Sequence, residues 1–201
     1  MQYLFFGIPL EVFGNNSRMK TSTDLQNLKN TLLDVLKLKN SMTLNAGEKP
    51  CSGADFVPKK SVVIVCFGTP KVSGDAFGPL VADSLREIYN VPVFVYGTSE
   101  NPITGSNMAG KLEFIKAVHK DDFIISVDAS IGDNVGGVAV RKDGVCPAAV
   151  HGKKKRFGDV GVLGIVAPPG EDALINLMAA DFSTVERLAE TVADAILQAI
   201  G

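Results

Sequence analysis

Residues 62–67, Val-Val-Ile-Val-Cys-Phe, constrain the fold more than any other part of the chain, because all six are apolar. A β-rich run with no polar alternation is typical of a parallel strand that is covered on both faces. A glycine-rich loop follows, and then a helical pattern over residues 75–89 with Pro79 in its first turn, where proline is tolerated. These residues predict a central strand joined to a helix that packs on the sheet.

The same order of strand, loop and helix recurs along the rest of the chain. Such an alternation predicts an α/β fold with a mostly parallel sheet and right-handed connections. The further predicted elements are strands at 93–96, 123–127 and 160–167, a helix at 107–118, and a hairpin of 137–140 with 145–150.

The last predicted helix has the clearest start signal. Ser183 and Glu186 have the spacing of a capping box, and an apolar stripe continues from there to Gly201.

Two regions differ in composition. Residues 1–60 are irregular apart from one helical pattern at 24–39, and are interpreted as an N-terminal extension with one helix. Residues 61–201 carry the repeated strand and helix pattern and are interpreted as the α/β domain.

Charge and cysteine content exclude several classes of function. The 201-residue chain has a formal net charge of -2, which gives no electrostatic footprint for nucleic acid or an anionic membrane. Its three cysteines show no disulfide or zinc-knuckle spacing, and no stretch has the pattern of a signal peptide or membrane span. We expect a cytoplasmic protein whose partner is a small molecule, a peptide or another protein.

Two aspartates stand out in the loops expected at the carboxyl ends of the strands, where α/β sheets bind ligands. Asp75 lies in the loop of residues 68–78, and Asp128 directly follows the apolar run 123–127. If their strands are neighbours, the two carboxylates meet at one rim and can share a proton, which provides an acid and a base for activating water. The alternative for Asp75 is a helix-capping role.

The two histidines have plainer interpretations. His119 is expected to face solvent as a cation at a helix end. His151 stands before a basic run, where it is either an exposed charge or a ligand for a substrate carboxylate or a metal. No G-x-S-x-G pattern supports a Ser-His-Asp triad.

Four stretches together, CFGTPKVSGDAFGPLV, VYGTSENPITGSNM, IISVDASIG and FGDVGVLGIVA, resemble the YyaC-type sporulation proteins of spore-forming bacteria, described as spore peptidases. The resemblance covers residues 61–201. That family is similar in turn to the spore germination protease and to the hydrogenase maturation endopeptidases, which share a phosphorylase/hydrolase-like three-layer α/β/α fold. The resemblance implies this fold for the present chain.

The resemblance also implies roles for particular residues. By motif, the aspartates considered catalytic in the germination protease fall on Asp75 and Asp128. In the maturation endopeptidases the corresponding acids bind a metal together with a later histidine, which implies a divalent ion on Asp75, Asp128 and, approximately, His151. The candidate substrate-binding residues are Gly74, Gly97, Thr98, Ser130, Gly132 and His151, and the amides near Gly97, Thr98 and Gly132 are candidates for stabilising an oxyanion.

Two functions follow as hypotheses. The first is a sporulation-associated endopeptidase that uses the aspartate pair, with or without a metal ion, on a peptide or protein substrate inside the sporulating cell or spore. The alternative is a catalytically inactive regulatory protein that binds a peptide or protein in the same cleft, with the basic run 153–156 recognising an acidic segment. The sequence does not indicate an oligomeric state.

Overall fold

The sheet has six strands in a computed structural model that describes residues 12–13, 29–30, 34, 61–147 and 155–200. Their order is β1-β5-β6-β4-β2-β3. Strands β3, β2, β4 and β6 are mutually parallel, whereas β5 pairs antiparallel with both β6 and β1. The strands are β1 Val12–Phe13, β2 Val62–Cys66, β3 Phe94–Tyr96, β4 Phe123–Ile131, β5 Val138–Arg141 and β6 Val160–Ala167.

Helices cover both faces of this sheet. One cluster of buried side chains joins the sheet to α1 and α4, and a second joins the opposite face to α2. The predicted α/β fold with a mostly parallel sheet between helical layers is therefore confirmed. The helices are α1 Phe77–Asp83, preceded by a 3₁₀ turn at Gly74–Ala76 and continued by a π-helical turn at Ser84–Ile88, then α2 Met108–Val118, α3 Ala173–Met178 and α4 Phe182–Ile200.

The burial of strand β2 on both faces accounts for its apolar sequence. Ile64 and Cys66 pack into the cluster on the α1 and α4 side, while Val63 and Val65 pack into the cluster on the α2 side. All four side chains are fully buried. A strand buried on both faces has no position for a polar residue, which is why the run is continuously apolar.

Strand β4 is longer than predicted. It continues through Asp128 to Ile131, so Asp128 lies inside a strand rather than in a loop after it. Its extension pairs with β6 in parallel register, with Asp128 opposite Leu163.

The predicted hairpin is wrong for the part that the structure describes. Strand β5 is hydrogen-bonded to β1 along one edge and to β6 along the other. Val145, in the predicted second strand of the hairpin, instead forms an isolated bridge with Phe157. Residues 148–150 of the predicted second strand lie outside the described residues.

The start of α4 also differs from the prediction. Asp181, rather than Ser183, receives the amide hydrogen of Thr184 at 3.0 Å, and it accepts the Ser183 and Thr184 hydroxyls as well. These hydrogen bonds hold the pKa of the exposed Asp181 carboxyl below its usual range.

The expectation that His119 faces solvent is wrong. His119 is 3% exposed and packs beside the ring of Phe94. Its Nε2 hydrogen-bonds Tyr96 Oη at 2.8 Å and its Nδ1 hydrogen-bonds Asp122 Oδ2 at 2.8 Å. The imidazole thus links the end of α2 to β3.

Within the predicted N-terminal extension, Val12–Phe13 adds an edge strand to the sheet through pairing with Val138 and Ala139. Lys29, Asn30 and Asp34 are helical, and the rest of the predicted helix 24–39 lies outside the described residues. Within the described ranges, no helix combines the length and the apolar character needed to cross a membrane.

Candidate active site

A cavity of about 470 Å³ opens beside the carboxyl ends of the parallel strands. Asp75, Asp128, Ser130, Arg141 and Arg156 all line it, and its other lining residues are mostly apolar. This is the position where open α/β sheets bind ligands. Two acids and two cations in an apolar pocket are a suitable arrangement for a polar reaction on a partly apolar ligand.

Asp75 is held at the cavity by the backbone after β2. It occupies the 3₁₀ turn Gly74–Ala76, and its carbonyl oxygen accepts the amide hydrogen of Thr69 at 3.1 Å. That carbonyl occupies the position a Cβ would take at Gly68, whose φ is +129°. Only glycine at position 68 allows this close approach, so the first glycine of the loop helps to fix the backbone of Asp75.

Asp128 reaches the same cavity from β4. Strands β2 and β4 are adjacent and parallel, with Cys66 opposite Val127, so the loop that leads from β2 to Asp75 begins beside the part of β4 that carries Asp128. The Asp128 Oδ1 accepts the amide hydrogen of Ala129 at 2.9 Å. The condition on which the sequence-based pairing depended, that the two strands are neighbours, is met.

The electrostatics of Asp128 are unusual for an aspartate. Burial of the carboxyl, together with the negative charge of Asp75, raises the pKa of Asp128 from 3.8 to about 8, although the Ala129 amide opposes the shift. Each of these causes acts on the charged form, since a carboxylate loses hydration and meets a like charge. Asp128 therefore carries a proton at neutral pH, because burial of its carboxyl and, to a smaller extent, the charge of Asp75 disfavour the loss of that proton.

Ser130 is the one predicted substrate-binding residue that lines the cavity in the described part of the chain. It lies two residues after Asp128 on the same strand, and alternate residues of a strand project from the same face. The Ser130 hydroxyl is thus on the face of β4 that carries the Asp128 carboxyl.

The other predicted substrate-binding residues that the structure describes are not among the residues that line the cavity. The Cβ position of Gly74 is crowded by Leu177, and that of Gly97 by the carbonyl of Cys66. Thr98 is buried, with its hydroxyl accepting the amide hydrogen of Asn101. The amide of Gly132 donates its hydrogen to the carbonyl of Ala167 at 3.0 Å. Because this hydrogen already has an acceptor, the amide does not fit the predicted role of stabilising an oxyanion.

The family described as "Protein of unknown function (DUF1256)" matches residues 38–195. The chain belongs to this family. The match begins inside the predicted N-terminal extension, well before the first residue of β2.

The DUF1256 chain is also similar to a curated protein. It is 32% identical over 140 residues to "Uncharacterized protein YyaC" of Bacillus subtilis (strain 168), and the match covers 68% of each protein. The resemblance to YyaC-type proteins is therefore confirmed. Among solved structures, the chain is similar to the [NiFe] hydrogenase maturation protease HycI from Thermococcus kodakarensis KOD1, with 22% identity, a TM-score of 0.45, and coverage of 72% of this chain and 95% of that one.

The described residues of this DUF1256 protein do not by themselves make a metal site. No group of three or more His, Cys, Asp or Glu side chains with suitable placement occurs among them. Asp75 and Asp128 supply two oxygen donors, one of them protonated at neutral pH, in a cavity that two arginines also line. His151, the third ligand implied by the resemblance, lies outside the described residues.

The sequence-based site did not include Arg141, whereas Arg156 belongs to the basic run 153–156 that the alternative hypothesis assigned to an acidic segment. Arg141 carried only one weak signal, a charge that closes an otherwise apolar strand. Placing Arg141 at the cavity requires knowing that β5 pairs with β6, which the predicted hairpin did not provide.

Proposed function

We propose that this protein is an endopeptidase in which Asp75 and Asp128 activate water against a peptide bond. The observation that carries the proposal is that Asp75 and Asp128 line one cavity, where burial and the charge of Asp75 raise the pKa of Asp128. Two carboxyl groups whose proton affinities are driven apart provide a base and an acid at the same pH.

In the first step Asp75 is the base. Its carboxylate accepts a proton from water as the water oxygen forms a bond with the carbonyl carbon of the peptide. Asp128 gives its proton to the carbonyl oxygen, so the product of this step is a neutral tetrahedral diol, with Asp75 protonated and Asp128 ionised.

In the second step the C–N bond breaks. Asp75 returns its proton to the leaving amine, and a hydroxyl of the diol returns a proton to Asp128 as the new carboxylic acid forms. The pair ends in its starting protonation state, ready for another turnover. Proton transfer by positioned groups of this kind contributes about 10²- to 10⁴-fold to a rate.

Ser130 is proposed to bind the substrate beside this pair. Its hydroxyl is on the same face of β4 and can donate to or accept from the peptide backbone. We further propose that the protein acts in the cytoplasm of the sporulating cell or in the spore interior, which rests on the resemblance to YyaC-type proteins.

The test is cleavage of a defined pool of synthetic peptides by purified protein, read by mass spectrometry. The wild-type protein is compared with Asp75→Asn, Asp128→Asn and, as a matched control, Asp133→Asn, which changes an exposed aspartate on the loop after β4. We expect a loss of at least about 100-fold for each cavity variant and none for the control.

Two results would contradict the proposal. Equal cleavage by Asp128→Asn and wild type removes the aspartate mechanism. Binding of peptides by the wild-type protein without any cleavage favours the alternative of a regulatory protein that uses the same cavity.

A further inference from the structure

Arg141 occupies the wall of the cavity on the far side of β6 from Asp128. In the sheet, Leu163 of β6 lies opposite Asp128 of β4 and also opposite Ala139 of β5, while Arg141 lies two residues farther along β5. Residues in register share a face, and alternate residues of a strand do so too. Asp128, Leu163 and Arg141 therefore project from one face of the sheet.

The two arginines of the cavity differ in their partners. Arg156 is exposed; its guanidinium donates to the Gly144 carbonyl at 3.1 Å and pairs with Asp143 at 3.0 Å. Arg141 is half-buried and makes no side-chain hydrogen bond or ion pair with any residue that the structure describes. An anionic partner stabilises a partly desolvated cation more than it stabilises a fully hydrated one. Arg141 is therefore suited to bind an anionic group of a ligand in the cavity.

We propose that Arg141 binds a carboxylate of the peptide substrate and so selects peptides that carry a negative charge near the cleaved bond. This inference rests on the proposed peptidase function. A guanidinium presents a planar fork of donors that matches a carboxylate with two parallel hydrogen bonds.

The geometry limits where that carboxylate lies. Two strand spacings and two residue rises put the Cα atoms of Asp128 and Arg141 roughly 12 Å apart. An extended peptide advances about 3.3 Å per residue, and the arginine side chain spans part of the gap, so the carboxylate lies within about three residues of the bond that reacts. Leu163, between the two residues, provides an apolar contact for the intervening part of the substrate.

An acidic side chain and a free C-terminus both supply a carboxylate, and three peptide pools distinguish these sources. The first pool has a fixed Glu and an amidated C-terminus, the second has Gln in place of Glu and a free C-terminus, and the third has Gln and an amidated C-terminus. Retention of each pool on immobilised protein is measured by mass spectrometry. The protein carries Asp128→Asn, which should prevent cleavage during the binding experiment. This variant is compared with three double variants that add Arg141→Gln, Arg141→Lys or Arg187→Gln.

We expect one or both carboxylate pools to be retained roughly 10- to 100-fold better than the pool without a carboxylate, the range for a hydrogen bond to a charged group. Arg141→Gln should abolish this preference and Arg141→Lys should keep part of it. Arg187→Gln, which removes an exposed arginine on α4, should leave it unchanged. Thermal unfolding of each variant verifies that it is folded.

Equal retention of all three pools overturns the inference, and so does a preference that survives Arg141→Gln. Because binding is measured in a variant that does not cleave, the outcome is separate from that of the peptidase proposal. A carboxylate preference that depends on Arg141 supports the inference even if the wild-type protein proves not to cleave peptides.

Discussion

Asp75, in the turn after β2, and Asp128, on the adjacent parallel strand β4, line one cavity, and the charge of Asp75 adds to the burial of Asp128 in raising the pKa of Asp128 to about 8. Neither aspartate is unusual by residue type. Their relationship, produced by the pairing of β2 with β4, is what makes acid–base chemistry available at this rim of the sheet.

The first prediction concerns stability and pH. Asp128 has a folded-state pKa of about 8 against an ordinary 3.8, so between these values the folded protein binds more protons than the unfolded chain. The contribution of Asp128 to the free energy of unfolding is therefore present below about pH 4 and lost as the pH rises through 8, at no more than about 1.4 kcal/mol per pH unit.

Asp128→Asn removes this pH-dependent loss of stability, because asparagine does not titrate. Urea unfolding from pH 5 to 9 should show the variant gaining stability relative to wild type as the pH rises, while Asp133→Asn follows the wild-type curve. A constant difference between Asp128→Asn and wild type across this range would mean that Asp128 does not retain a proton above its ordinary pKa.

The second prediction concerns the loop that holds Asp75. Gly68→Ala places a Cβ on the Asp75 carbonyl at a positive φ, so it should cost about 2 kcal/mol or more in the free energy of unfolding and should reduce any peptide cleavage. Gly105→Ala is the matched control, because a Cβ at this cavity residue meets nothing within 4 Å. Equal stability of the two variants would refute the positioning role of Gly68.

Much of the fold could be predicted because a strand that is buried on both faces has a continuous run of apolar residues in its sequence. The continuous apolar run of β2 and the strand β6 are predicted almost to the residue for this reason. The predicted strand at 123–127 ends four residues before β4 does, because the last residues of β4 face a cavity on one side. The polar residues Asp128 and Ser130 therefore resemble the start of a loop in the sequence.

Other differences arise from contacts between segments that are distant in sequence. His119 is buried by aromatic neighbours on β3, which no pattern within α2 reveals. Arg141 reaches the cavity only through the register of β5 with β6. The aspartate pair could be predicted because both members come after the apolar runs of neighbouring central strands, in the loop after β2 and in the last part of β4.

The third prediction concerns this buried histidine. Tyr96→Phe removes the hydroxyl that bonds His119 Nε2 and should cost about 1–3 kcal/mol in the free energy of unfolding, because a buried polar nitrogen loses its partner. Tyr89→Phe is the control, since the Tyr89 hydroxyl makes no hydrogen bond with the described residues. Both variants are compared by urea unfolding at pH 7, and equal stability would show that the Tyr96 bond contributes nothing.

The fourth prediction concerns metal ions. Two carboxyl groups with no third His, Cys, Asp or Glu suitably placed among the described residues form a weak cation site, so peptide cleavage should be unchanged by saturating EDTA, and protein purified without chelator should contain no stoichiometric divalent metal. Elemental analysis of wild type and Asp128→Asn provides the measurement. Activity that EDTA abolishes and an added divalent ion restores would contradict this prediction and favour a site completed by His151.

The central claim is that Asp75 and Asp128 act as one acid–base pair, and titration of the Asp128 carboxyl by ¹³C NMR tests it most directly, without a substrate. Protein labelled at aspartate carboxyl carbons is titrated from pH 4 to 10, and the Asp128 signal is identified by its absence in Asp128→Asn. We predict a pKa of about 8 in the wild-type protein and a lower pKa in Asp75→Asn, because that variant removes the neighbouring charge. An Asp128 carboxyl that titrates near its ordinary value of 3.8, or one that does not respond to Asp75→Asn, would contradict the account.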